Sequence, residues 1–149
     1  MPNTLKEQVL LEDLDERELE RIGGVMQRLR FSKGEDIFGE NEETRGLYLI
    51  QSGTVTISKV TPDGWRQTIA VFSTGHFFGE LSILEKRRHE AFATASENTE
   101  IILLSKEDFE RLEREDMALA FKITKRIALV MCRNLRRMND KFLNALISY

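Results

Sequence analysis

Gly75-His76-Phe77-Phe78-Gly79-Glu80-Leu81-Ser82-Ile83-Leu84 joins the end of a strand pattern to the start of a short helical one. Glycine lets the backbone approach a ligand closely at such a junction. The N–H groups of Glu80, Leu81 and Ser82 at a helix start would face an anion, with the helix dipole behind them. Glu80 offers a carboxylate that would instead accept hydrogen bonds from sugar hydroxyls. On its own, a glycine followed by a glutamate describes an ordinary turn as well as a phosphate site, so the surrounding sequence has to decide.

Upstream, from about Met26, the rhythm has a period of two. Val55 and Ile57 alternate with Thr54, Thr56 and Ser58, and Trp65, Gln67, Ile69 and Val71 alternate with Arg66, Thr68 and Ala70, which predicts strands. Further strands are expected at 35–38, 46–51, 91–96 and 100–104. Turn-forming groups at 32–34, 52–53, 62–64 and 75 separate them. Many short strands at regular spacing predict a mainly β roll or sandwich. In front of them, Leu10, Leu11, Leu14, Leu19, Ile22 and Val25 have near-helical spacing. Asp15 and Glu18 stand three apart as an N-cap and its partner, and Gly23 and Gly24 close a short helix. Ser105 and Asp108 mark a second helix start.

From 116 to 148 there is neither proline nor glycine, and one long helix is expected. Met117, Phe121, Thr124, Ala128, Met131, Leu135, Met138, Phe142 and Ala145 follow one another at steps of four and three, a seam of period 3.5. A second row, Leu119, Ile123, Ile127 and Val130, occupies another face in the first half only. Arg133, Arg136, Arg137, Asp140 and Lys141 make the second half polar, the solvated face of a helix. The expectation is that the second row packs on the β body and the seam faces the same helix of another subunit, giving a homodimer. The competing reading is a helix that folds back onto its own domain. Residues 1–115 then form the β-rich body with its N-terminal helix, and 116–149 the dimerisation helix of the same domain.

Composition narrows the classes. With 149 residues and 41% hydrophobic content the chain can fill one core without metal or disulfide. A net charge of -3 with 32% charged residues argues against bulk nucleic-acid binding. The single cysteine, Cys132, cannot pair within the chain, and a reducing, cytoplasmic setting is expected. No apolar run reaches the roughly 18 residues of a spanning helix, and Met1-Pro2-Asn3-Thr4 leads into no apolar stretch, so neither a membrane span nor a leader is expected. Besides its carboxylates the chain has only His76, His89 and Cys132 for catalysis or metal ligation. No catalytic residue, no metal site, no cofactor and no enzymatic role are expected.

The junction at 75–84 takes its meaning from its neighbours. Phe78-Gly79-Glu80-Leu81-Ser82-Ile83-Leu84 occurs together with Phe31, Lys33, Gly34, Glu35, Ile37 and Phe38; with Leu47-Tyr48-Leu49-Ile50, Ser52, Gly53 and Val55; with Asp63 and Gly64; and with Thr99 to Leu104. In this order and spacing, from about Leu10 to Asp140, the sequence resembles the cyclic-nucleotide-binding domain family, the ligand-sensing half of catabolite-activator-like regulators. The resemblance implies a cyclic-nucleotide-binding-type β-roll (a double-stranded β-helix or jelly roll) with flanking helices and a long C-terminal dimerisation helix. It also implies that the stretch from Phe78 is a phosphate-binding cassette whose glutamate, Glu80, binds the ribose 2′-hydroxyl, and that an arginine near its end holds the cyclic phosphate bidentately. Ungapped counting puts His89 at that arginine's position, followed by Glu90 and Ala91, with Phe92 where the family commonly has a hydroxyl residue.

A histidine of ordinary pKa near 6.5 is mostly neutral at pH 7 and lacks the guanidinium's planar fork. Losing one charge-assisted contact of that kind costs about 1.5 to 3 kcal/mol, roughly ten- to a hundredfold in affinity. Two things would compensate: Arg88 turning inward, or His89 acquiring a proton when a phosphate arrives. The candidate ligand-binding residues are therefore Phe78, Gly79, Glu80, Leu81, Ser82, Arg88, His89 and Ala91. Two functional expectations follow. One is a small-molecule-sensing regulatory module for cyclic AMP, cyclic GMP or a similar anion. The other is a degenerate version that binds no nucleotide and serves as a dimerising or protein-interaction module. With no helix-turn-helix module after the long helix, direct DNA reading by this chain is not expected.

Overall fold

The computed structural model describes residues 5–43 and 45–148; for Leu81 and Ser82 it describes the backbone alone. The segment 1–4, on which the absence of a leader was argued, and residue 149 lie outside the described residues.

Two four-stranded antiparallel sheets face each other. The first has the order β1-β8-β3-β6, with β1 Gln27–Phe31, β8 Thr99–Ser105, β3 Gly46–Ser52 and β6 Phe77–Phe78. The second has the order β2-β7-β4-β5, with β2 Asp36–Phe38, β7 Phe92–Ala95, β4 Thr54–Val60 and β5 Arg66–Ser73. The first sheet is covered on both sides. Tyr48, Ile50, Ile101 and Leu103 point at the second sheet and join Ile37, Phe38, Val55, Phe78 and Ala93 in one core. Leu47, Leu49, Ile102 and Leu104 point the other way, into a second core closed by the helices. For this reason Leu47-Tyr48-Leu49-Ile50 and Ile101-Ile102-Leu103-Leu104 read as unbroken apolar runs and not as alternation.

Helix α1, Glu16–Gly23, starts where the sequence placed its cap. The Glu18 N–H donates to the Asp15 carboxylate at 2.8 Å, and the Glu18 side chain accepts from the Asp15 N–H at 3.0 Å. Leu10 and Leu11, which share the helical spacing, lie ahead of it in a 3-10 turn, Val9–Leu11. Helix α2 is short, Glu80–Glu85. Helix α3, Lys106–Glu115, begins at Ser105, whose hydroxyl accepts from the Asp108 N–H. Asp116 breaks the chain and caps α4, Met117–Ile147, a single helix of 31 residues.

The two apolar rows of α4 have opposite fates. Leu119, Ile123 and Ile127 are fully buried in the helix-side core, each contributing roughly 1.5 to 3 kcal/mol. Met117, Phe121, Leu135, Met138 and Phe142 are exposed, as are Thr124 and Ala128, and Met131 is half-buried. Ion pairs add to the seating of α4. Lys122 Nζ reaches the buried Glu18 carboxylate at 2.7 Å, and Arg126 reaches Asp13 at 2.8 Å and Glu12 at 3.3 Å. The segment ahead of α1 is thus tied to α4. It is also tied to the turn before β6, because the Val9 N–H donates to the Gly75 carbonyl at 3.0 Å.

Candidate functional site

Strand β6 carries the chain into the site. Tyr48 and Leu49 of β3 pair with Phe78 and Phe77, and Gly79 then turns with φ +90° into α2. A Cβ on Gly79 would stand 2.9 Å from the Gly46 carbonyl and 3.1 Å from the Tyr48 ring, so both the backbone angle and the space require glycine here. Phe78 turns inward and stacks on Tyr48, ring centroids 5.0 Å apart and planes within 5°.

The other end of the cassette folds back over the same aromatic floor. The His89 ring lies against Phe38, with centroids 3.5 Å apart and planes within 7°, and the residue is 4% exposed. Its backbone is fixed at two points: its N–H donates to the Glu42 carbonyl at 3.0 Å, and its carbonyl accepts from the Asn41 N–H at 2.8 Å. Burial holds the imidazole below its ordinary 6.5, against the pull of the Glu42 charge. Burial likewise pushes the Glu80 carboxyl above its ordinary 4.5 and the Tyr48 phenol up to about 12.

Between these ends opens a cavity of about 480 Å³. Ile57, Ile69, Ala70, Phe72 and Phe78 form its apolar wall, and Phe38, Gly79, Glu80, His89 and Ala91 complete the pocket. Lys59, Glu85, Arg87, Arg88 and Glu90 add charge. Of the residues expected from sequence, Phe78, Gly79, Glu80, Arg88, His89 and Ala91 converge on this one space. Leu81 and Ser82 follow Gly79 in α2, and their side chains lie outside the description. Arg88 lines the cavity, but its guanidinium is bound elsewhere: it donates to the Asn41 carbonyl at 2.8 Å and meets Glu43 at 3.4 Å. Arg87 bridges Glu85 at 3.1 Å and Glu90 at 2.6 Å.

The wall from β4 and β5 was not foreseen. The signal was present in the alternation of Ile57 with Ser58 and of Ala70 and Phe72 with Ile69 and Val71, but alternation does not say which face lines a pocket. In β5, Ala70 and Phe72 are half-buried; Ile69, skipped by the register shift between Ile57 and Ser58, is more exposed yet still borders the cavity, and Val71 does not. Phe92, at the position expected to carry a hydroxyl, packs under the Arg66 guanidinium, 3.8 Å from its ring centroid. Among the described residues no cluster of three or more histidine, cysteine, aspartate or glutamate side chains is placed to hold a metal ion, and no helix is long and apolar enough to cross a membrane.

The family model of the cyclic nucleotide-binding domain aligns with residues 28–116, which span both sheets, the Gly79 turn and the cavity. The chain belongs to the cyclic nucleotide-binding domain family. The Cyclic AMP receptor protein of Thermus thermophilus is 30% identical over 132 residues, which is 89% of this chain and 59% of that protein. The crystal structure of the Thermus thermophilus Catabolite Activator Protein superposes with a TM-score of 0.78 at 29% identity, over 91% of this chain and 62% of that one. A cyclic nucleotide-binding domain from Methylobacillus flagellatus superposes with a TM-score of 0.86 over 95% of this chain and 82% of that one; at 23% identity it shows likeness of fold alone. The chain thus spans about three-fifths of its Thermus relative.

Proposed function

We propose that this chain is a homodimeric, non-enzymatic sensor module of the cytoplasm, and that its cavity takes a cyclic nucleotide, cyclic AMP or cyclic GMP, or a similar anionic ligand. The observation that carries this reading is the cavity of about 480 Å³ between Gly79–Glu80 and His89–Ala91, large enough for a small organic ligand. Glu80 borders it with a carboxylate for sugar hydroxyls, and β4 and β5 offer an apolar wall for a base. In this reading the ligand docks at Phe78 to Ser82 and at the 88–91 segment. The exposed row Met117, Phe121, Thr124, Ala128, Met131, Leu135, Met138 and Phe142 pairs with its copy on a second subunit. Ligand occupancy alters how the roll packs on α4 and so reaches a partner.

A second reading is favoured by one observation. The ring at the arginine's position is buried, stacked and held in its neutral form, and three carboxylates, Glu80, Glu85 and Glu90, border the same cavity. A domain that has lost its nucleotide and kept its dimer helix would look the same. Calorimetric titration with cyclic AMP and cyclic GMP at pH 6 and pH 8, on the parent and on His89→Arg, separates the two. The sensor reading expects binding by the parent that strengthens toward pH 6, as His89 takes up a proton beside an anion. Silence in the parent with clear binding by His89→Arg establishes degeneracy instead.

A further inference from the structure

Among the described residues, one cation bordering the cavity makes no hydrogen bond or ion pair, and it does not come from the cassette. Arg87 is bridged to Glu85 and Glu90, and Arg88 to the Asn41 carbonyl and Glu43. Lys59, on β4, lines the same cavity with no hydrogen bond or ion pair among the described residues. Strand register puts it where a phosphate contact is wanted. Ile57 pairs with Ala93 and Ser58 with Phe92, where the ladder ends, so Lys59 is the next residue of β4 on the side of the 89–91 segment. Lys59 and Ala91 both border the cavity, as does Ile57 on the same strand.

We propose that Lys59 supplies the cationic contact to an anionic ligand in this cavity, from the β4 wall, in place of an arginine at position 89. The inference rests on the sensor reading above. An ammonium is a point charge with three rotatable donors, not a planar fork. It therefore meets a phosphate oxygen without enforcing bidentate geometry. The cavity then has anion affinity that does not depend on protonating the buried imidazole.

The test is calorimetric titration of the full chain with cyclic AMP, and with adenosine, which has no phosphate, at pH 8 where His89 is neutral. The chains compared are the parent, Lys59→Gln, Lys59→Arg and, as a remote control on the exposed side of α4, Lys125→Gln. Lys59 is exposed, and circular dichroism checks that each variant is folded. The expected result is a loss of about tenfold in cyclic AMP affinity for Lys59→Gln, retention within about threefold for Lys59→Arg, no change for Lys125→Gln, and the same adenosine affinity in all four. Cyclic AMP binding by the parent that Lys59→Gln leaves intact, or an equal loss for adenosine, overturns the role of Lys59 and leaves the sensor reading standing. Absence of cyclic AMP binding by the parent overturns the sensor reading itself, and the role of Lys59 with it.

Discussion

At His89 the packing sets a sign for the pH dependence of stability. Burial holds the imidazole below 6.5, so as pH falls the unfolded chain takes up this proton before the folded chain does. Stability is therefore full above about 6.5 and declines as pH falls from there toward the lowered folded value. His89→Phe keeps a ring against Phe38 and removes the titration. Between pH 7.5 and pH 5.5 the parent should lose more melting temperature than His89→Phe. Equal losses would mean that the imidazole is not the group responsible. Glu80, raised by burial, works in the opposite direction but is common to both chains and cancels in the comparison. A second residue-scale expectation concerns Gly79. Its φ of +90° and the 2.9 Å approach of a Cβ to the Gly46 carbonyl give Gly79→Ala a cost of about 1 to 3 kcal/mol. Chemical denaturation measures it, and a cost below about 0.5 kcal/mol would show that β6 can shift away from β3.

At the scale of elements, α4 depends on residues far from it in sequence. Lys122 meets a Glu18 carboxylate that is 2% exposed and also accepts the Asp15 N–H of the α1 capping box. Lys122→Met leaves that buried charge without its cation and should cost about 1 to 3 kcal/mol. Glu18→Gln keeps an amide oxygen for the cap and should cost less; the reverse order in urea unfolding would contradict this account. None of this pairing, 104 residues apart, was legible in the sequence. What was legible is local: the Asp15–Glu18 and Ser105–Asp108 caps, the proline- and glycine-free run that became α4, and the strands, whose chemistry lies within a few residues. The two-residue β6 has no period to read, and β5 reads as a strand without saying that Ala70 and Phe72 are the half-buried pair or that a register shift lets Ile69 border the cavity beside them. In the candidate site, the segment 78–91 was found through its resemblance to a family. The contributions of Lys59 and Phe72, and the capture of Arg88 by the 41–43 loop, arise only when strands and loops distant in sequence come together.

For the whole molecule, α4 carries a row of exposed large apolar side chains. Phe121 is 62% exposed, Leu135 58% and Phe142 66%, along a helix whose first half is seated on the roll by Leu119, Ile123 and Ile127 and whose second half, from Cys132 on, is exposed all round. A row of apolar side chains at coiled-coil spacing suits pairing with the same row of a second copy, and the proposed dimer has a direct test. Leu135→Glu combined with Met138→Glu should shift sedimentation from dimer to monomer and leave the fold, judged by circular dichroism, unchanged. If the parent sediments as a monomer at the same concentration, the dimer assignment fails. Beside this row sits the chain's single thiol, Cys132, exposed on α4. It follows that one maleimide dye or nitroxide can be attached at a known place without removing any other cysteine. Resonance energy transfer or dipolar spectroscopy between labelled copies would then test whether two of these helices pair and whether cyclic AMP changes the distance between them.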